Sequence, residues 1–301
     1  MFFSVVITTY NAERFLLDAL NSLKSQTFQD FEWIITDDAS TDHTRQIYRQ
    51  WLADNPEFAT RLKIIESKTN TGISANVNRG LRAASGDWIH VLSADDALFE
   101  DTLEQVCKFV KNNSDISVLQ GISAIYNTDF ADANLAGYLS ENYKTSDFFQ
   151  RSSGKQYRYL LKHCHVVAPA VFFKKDAVEH VGFCDESIPM IDDWPLWLKL
   201  TKADYKFYFL NRVVVKYRYH NKSFVNENKG LLIDDVHRKA RPVYDLYIAP
   251  NIGIFGKIKY HTTYLFKEIL YRFFNSKENP IAAFMLAIWR IFRQSFVKVK
   301  N

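Results

Sequence analysis

"FFSVVITTYNAERFLLDALNSLKSQTFQDFEWIITDD", residues 2–38, decides the fold. It opens on a β-branched run that reads as a buried strand. Phe15, Leu16, Ala19, Leu20 and Leu23 then recur at helical spacing, and "FEWIITD" is a second strand. The rhythm continues outward. Ser40 and Thr41 are candidate caps for a helix through Ile47, Tyr48 and Trp51. "LKIIES" is a third strand, "GISANVNRGLRAA" a third helix and "DWIHVLS" a fourth strand. Strand and helix in alternation predict βαβ units and a mainly parallel, Rossmann-like sheet flanked by helices.

Ligands on such sheets bind at the carboxyl ends of the strands. Polar clusters sit at three of those ends: "TTYN" after the first strand, "DDASTD" after the second and "SADD" after the fourth. Asp95 and Asp96 repel one another unless a positive charge sits beside them. A hard divalent cation prefers such oxygen ligands. A helix then covers "DTLEQVCKFVKNN", and "ISVLQGISAIY" is a strand. Residues 127–160 read as an irregular polar excursion. "APAVFFKKDAVEHVG" is a strand followed by a helix, and "DDWPLWLKL" is a helix followed by a strand from Tyr205.

Composition bounds the rest. The chain has 301 residues, 47% of them apolar, enough to bury a core. Cys107, Cys164 and Cys184 fit neither a disulfide framework nor a paired metal-ligand spacing, which predicts a reducing, cytoplasmic setting. The opening "MFFSVVITTY" lacks the basic start and cleavage site of a signal peptide. No stretch reaches the roughly 18 uninterrupted apolar residues of a membrane span. From Asn251 onward nine basic residues face two acidic ones, a charge of +7, while residues 1–250 carry −3. Apolar residues at 281, 284, 285, 288, 289, 292 and 296 share one helical face. Such a basic, aromatic tail predicts helices against a membrane surface, the protein's own core or a second subunit; no motif supports nucleic acid. The expected division is a catalytic domain at 1–225, with a nucleotide half at about 1–100 and an acceptor half at about 101–225, and a helical, basic extension at 226–301.

The ordered set "VVITTYN", "DDASTDHT", "GISANVNRGL", "SGDWIHVLSADD" and "DDWPLWLKL" resembles the family-2 glycosyltransferases with a GT-A fold, over roughly the first 220 residues. The resemblance implies an inverting, metal-dependent transfer of a sugar from a nucleoside diphosphate, a UDP-sugar above all, to an acceptor hydroxyl. A lipid-linked glycan of surface polysaccharide synthesis, met at the cytoplasmic face of the inner membrane, is the implied acceptor. Thr8, Tyr10 and Asp38 are expected to hold the nucleoside, with Asn11 and Asp37 from the same clusters and Asn78 on the third helix. The family's Arg before the position of Asn78 is Val77 here, and Arg79 is expected to point elsewhere. Asp96 is the expected ligand of Mn²⁺ or Mg²⁺, and Asp95 is placed at the donor sugar or ribose. Asp193 is the expected base, with Asp192 as fallback, and Trp194 the floor for the acceptor. Arg218 is placed at the diphosphate and His220 at the metal. His163 and His165, around Cys164, are read as structural. Two other readings remain. A sugar-nucleotide pyrophosphorylase would carry glycine right after the first strand, which "TTYNAERF" lacks. A non-catalytic nucleotide- or glycan-binding module would bind UDP without turnover.

Overall fold

A computed structural model describes residues 2–140, 147–219 and 240–274, with 281, 284, 285 and 288. The chain divides into two compact units, Met1–Tyr219 and His220–Asn301.

In the first unit, β1 (Phe3–Thr9), β2 (Phe31–Asp37), β3 (Leu62–Glu66) and β4 (Trp88–Ser93) lie parallel in the spatial order β3-β2-β1-β4. The register aligns Thr8 with Thr36 on one side and Ser93 on the other. Three strands therefore end on one rim, as the polar clusters predict. The connecting helices are α1 (Leu16–Lys24), α2 (Thr44–Asp54) and α3 (Ile73–Ala83).

Alternation along the strands sorts the two faces. Phe3, Val5 and Ile7 of β1 are fully buried in a cluster with Leu16, Leu20 and Leu23 of α1 and with Tyr48 and Trp51 of α2. Each such leucine contributes about 1.5–3 kcal/mol by leaving water. Val6 faces the other way, against α3, where Gly80 lets the helix sit directly on the strand.

Beyond β4 the sheet is mixed. After β5 (Ala97–Leu98) and α4 (Thr102–Lys111) comes β6 (Val118–Asn127). The irregular excursion holds β7 (Leu135–Leu139) and α5 (Ser153–Leu160). Then β8 (Val171–Lys174) runs antiparallel between β4 and β6. Helix α6 (Lys175–His180) and helix α7 (Asp193–Lys202) lead to β9 (Phe207–Tyr219), parallel to β6 and antiparallel to β5. The parallel arrangement thus holds for the βαβ half and gives way where the long excursion returns the chain from the opposite end.

Helix α2 begins at Thr44, later than Ser40 and Thr41 suggest. The Ser40 hydroxyl instead accepts the Asn11 N–H at 2.9 Å, and the Thr41 N–H donates to Asn11 Oδ1 at 2.8 Å. Asp42 Oδ1 takes the N–H of Thr44 at 3.0 Å. Both predicted caps are spent fastening the β1 and β2 loops together.

In the second unit, a short helical stretch from Arg241 leads to α8 (Ile254–Phe274). On α8, Ile254, Phe255, Ile258, Leu265, Ile269 and Phe273 are exposed, while Leu270 is buried. No helix among the described residues is long and apolar enough to cross a membrane.

Candidate active site

The rim of β1 and β4 opens into a hollow of ≈ 190 Å³. Its polar wall is Thr8, Ser93, Asp96, Asp192 and Asp193, and its apolar wall includes Val77, Val91, Phe173 and Trp197. Asp96 and the Asp192–Asp193 pair, almost a hundred residues apart in sequence, thus line one cavity.

Asp96 is held there by the strand beside it. β5 pairs with β9, Ala97 opposite Lys216, and the Arg218 N–H donates to Asp96 Oδ1 at 2.9 Å. Burial pushes the Asp96 carboxyl well above the usual carboxylate range, and the neighbouring charge of Asp95 adds to the push. A carboxyl that is costly to ionise beside a second acid is what a cation relieves. Among the described residues no three His, Cys, Asp or Glu side chains converge on a metal position. A Mg²⁺-type ion takes one or two carboxylates and completes its shell with water and phosphate, so Asp96 with Asp95 fits this chemistry. His220 lies outside the described residues.

Asp192 and Asp193 sit at the start of α7, half-buried at the cavity wall. The helix end favours negative charge. Burial outweighs it: Asp192 is pushed up to about 7, with the charge of Asp193 adding, and Asp193 is raised by burial too. The Trp194 N–H donates to Asp193 Oδ1 at 2.7 Å. The indole N–H of Trp197, buried and without a full hydrogen bond, lies near enough to favour the charged form of Asp193. Trp197 was not singled out from sequence; its place four residues after Asp193 on one helix face was the available signal.

The nucleotide-side residues divide. Tyr10 stands at the rim with 51% of its surface exposed, a free ring face for stacking. Asp38 is buried and receives the N–H groups of Thr71 and Gly72 at 3.0 and 2.8 Å. Arg79, expected to point away, donates to Asp38 Oδ1 at 2.6 Å. Burial alone would raise Asp38, but these donors, Arg79 first, outweigh it and hold the carboxyl low. Asn76, also unremarked from sequence, donates to the carbonyls of Thr9 and Thr36 and ties β1 to β2. Asn11 and Ala39 take left-handed backbone, φ 50° and 64°, right after the strand ends. Such strain gathers where surrounding structure fixes a functional loop.

Other predicted ligand contacts are engaged inside the protein. Asp37 accepts from Arg45 at 2.8 Å, Ser40 N–H at 3.0 Å and Thr9 at 3.1 Å, which makes it a loop anchor. Asn11 Oδ1 is taken by Thr41. Asn78 is fully buried and bonded to Cys184 and Glu186. The Arg218 guanidinium bonds Asp18, the Asp95 carbonyl and the Thr128 carbonyl, between the rings of Phe15 and Phe130. It braces the acid turn, with all three guanidinium nitrogens bonded inside the protein. The Trp194 indole N–H donates to the Leu160 carbonyl at 2.9 Å, tying α7 to α5.

Residues 4–182 match the family described as glycosyl transferase family 2. An uncharacterized glycosyltransferase of Methanocaldococcus jannaschii is 28% identical over 221 residues, 73% of this chain and 71% of that protein. The putative glycosyltransferase EpsE of Bacillus subtilis is 36% identical over 116 residues, 38% of this chain and only 41% of its own. Among solved structures, Staphylococcus aureus TarS 1–349 in complex with UDP-GlcNAc superposes with a TM-score of 0.62 at 19% identity, over 89% of this chain and 72% of that one. The same fragment with UDP gives 0.58 at 21% identity, over 73% of this chain and 61% of that one. GalNAc-T7 with UDP, GalNAc and Mn²⁺ gives 0.54 at 15% identity, over 73% of this chain and 44% of its own. These likenesses carry the GT-A fold. With a family match over more than half its length, and Asp96 brought to one hollow with Asp192 and Asp193 on a GT-A sheet, the chain is a member of glycosyltransferase family 2.

Proposed function

We propose that this protein transfers a sugar, with inversion, from a uridine diphosphate donor to an acceptor hydroxyl. The observation that supports it most is the shared hollow: Asp96 on one wall and Asp192–Asp193 on another, at the carboxyl ends of β1 and β4. Tyr10 offers its ring to the base, where stacking contributes about 1–3 kcal/mol in comparable systems. Asp38, charged and held by Arg79, accepts from the base's imide N–H at the same rim. TarS and GalNAc-T7, which share the fold, were crystallised with UDP or a UDP-sugar.

Asp193 takes the proton of the acceptor hydroxyl as that oxygen attacks the anomeric carbon, and Asp192 raises its basicity. Asp96 and Asp95 would hold Mn²⁺ or Mg²⁺, which neutralises the departing diphosphate. The Arg218 brace keeps Asp96 on the cavity side. Trp194 presents its ring face to the acceptor. The exposed apolar face of α8, with Lys257 and Lys259 beside it, suits an anionic membrane surface and hence a lipid-linked acceptor.

The test is release of UDP from a panel of UDP-sugars, UDP-GlcNAc included, with Mn²⁺ present. Asp193→Asn and Asp96→Ala are each expected to lower turnover by about 10²–10⁴-fold, the range for a positioned acid or base. Wild-type rates in both variants exclude this assignment. Loss of turnover on chelation, restored by Mn²⁺, tests the metal role separately.

A further inference from the structure

Segment 182–191 reaches Asp192 and Asp193 as a run of turns, and α3 grips it along one face. Asn78 Oδ1 accepts the Cys184 N–H at 2.9 Å, and its Nδ2 donates to the Cys184 carbonyl at 3.0 Å and to Glu186 Oε1 at 2.7 Å. One turn away, Arg82 also donates to Glu186 Oε1, at 2.8 Å, and lies over the Phe183 ring. One turn in the other direction, the Ser74 hydroxyl donates to the Ile188 carbonyl at 2.6 Å and the Ser74 N–H to the Pro189 carbonyl at 3.2 Å. At the head of the helix, Gly72 has φ 89°, and a Cβ there would stand 2.7 Å from Pro189 Cβ. Residues 74, 78 and 82 repeat every fourth position, so they form one row. From α7, Lys199 closes the far side by donating to the Gly182 and Phe183 carbonyls.

From this row we infer that Asn78 is a positioning residue: through the 182–191 strap it sets where the Asp193 carboxyl stands in the hollow. The inference rests on the proposed role of Asp193. Asn78 is fully buried, and a buried amide has cost unless every hydrogen bond is made. Here its bonds reproduce those of a strand partner for Cys184, in a segment with no ladder of its own. The same helix head fixes Asp38 through the Thr71 and Gly72 N–H groups. One rigid helix therefore spans the donor side and the base side and holds their separation. A displacement of about 1 Å in such a site costs about 10²-fold in rate.

The test uses the full chain with Asn78→Ala, and with Ser74→Ala as the milder variant where the first fails to fold. Hydrogen exchange at residues 184–193, UDP affinity by calorimetry, UDP-GlcNAc hydrolysis and carbon-13 titration of the Asp192 and Asp193 carboxyls are read together. The thiols of Cys184 and Cys164 also face this pair. Asn78→Ala is expected to open exchange across the strap and return the carboxyl titration toward the ordinary range. UDP affinity is expected to stay within about twofold, while kcat falls by about 10²-fold with KM little changed. Unchanged exchange, or a freed strap with unchanged carboxyl titration, overturns the inference. Wild-type protein that binds UDP but turns over no UDP-sugar strikes the role of Asp193 instead, and the exchange and titration arms still decide whether Asn78 places the pair.

Discussion

Asp192 shows how a single residue is set by its surroundings. Its carboxyl is pushed up to about 7 by burial and by Asp193, so the folded protein holds this proton more tightly than the unfolded chain. Stability from that difference is present at low pH and is lost as pH rises through the window from the ordinary carboxylate range to about 7. Asp192→Asn is therefore expected to raise the melting temperature relative to wild type, by several degrees at pH 8 and by less at pH 5. Equal gains at both pH values contradict the raised titration. The catalytic counterpart has the same origin. Turnover is expected to fall as pH drops below about 7, with an apparent value belonging to the pair. Adjacency, read together with the family resemblance, made both acid pairs legible in the sequence. The engagement of Asp37, Asn78 and Arg218 was not, because each finds partners distant along the chain: Thr9, Cys184 and Asp18. The same holds for Arg79, whose bond to Asp38 depends on how α3 is rotated about its axis.

Elements bring those residues together, and their close approach sets the tolerance. Gly86, just before β4, donates its N–H to the Ser4 hydroxyl at 2.8 Å. A Cβ on Gly86 would stand 2.5 Å from the Phe3 carbonyl carbon and 2.6 Å from the Ser4 nitrogen. Those atoms belong to the backbone of β1 and cannot rotate away. Gly86→Ala is expected to cost about 3 kcal/mol, the upper part of the overpacking range, read as a lower urea midpoint. A midpoint equal to wild type shows that β1 and β4 are not in this contact. The βαβ half was legible because its helices bury one face at helical spacing and its central strands are short, β-branched apolar runs buried on both faces. The antiparallel entry of β8 was not, because nothing in "AVFFKK" states which strands it joins. Helix α2 likewise starts at Thr44 because Asn11, more than thirty residues back, has taken the hydroxyl of Ser40.

At the scale of the whole molecule, the two units differ in what they leave exposed. Most apolar side chains of β1, β2 and α1 are fully buried, whereas α8 exposes Phe255 at 77% and Phe273 at 81%. With the basic excess after Asn251, this predicts co-sedimentation with vesicles containing phosphatidylserine, at about 1 kcal/mol per basic residue near the surface, and weaker binding in high salt. Equal binding to neutral vesicles removes the electrostatic part of the reading, and no binding to either removes the membrane. The sequence by itself determined the alternating half of the sheet, the rim on which polar clusters fall and the identity of the acids, since periodicity and adjacency are local properties of a chain. Only the tertiary structure decided which of those polar groups face the hollow and which are consumed as braces. A hydrogen bond is spent on whichever partner the fold brings within reach, and that partner is set by packing rather than by distance along the chain.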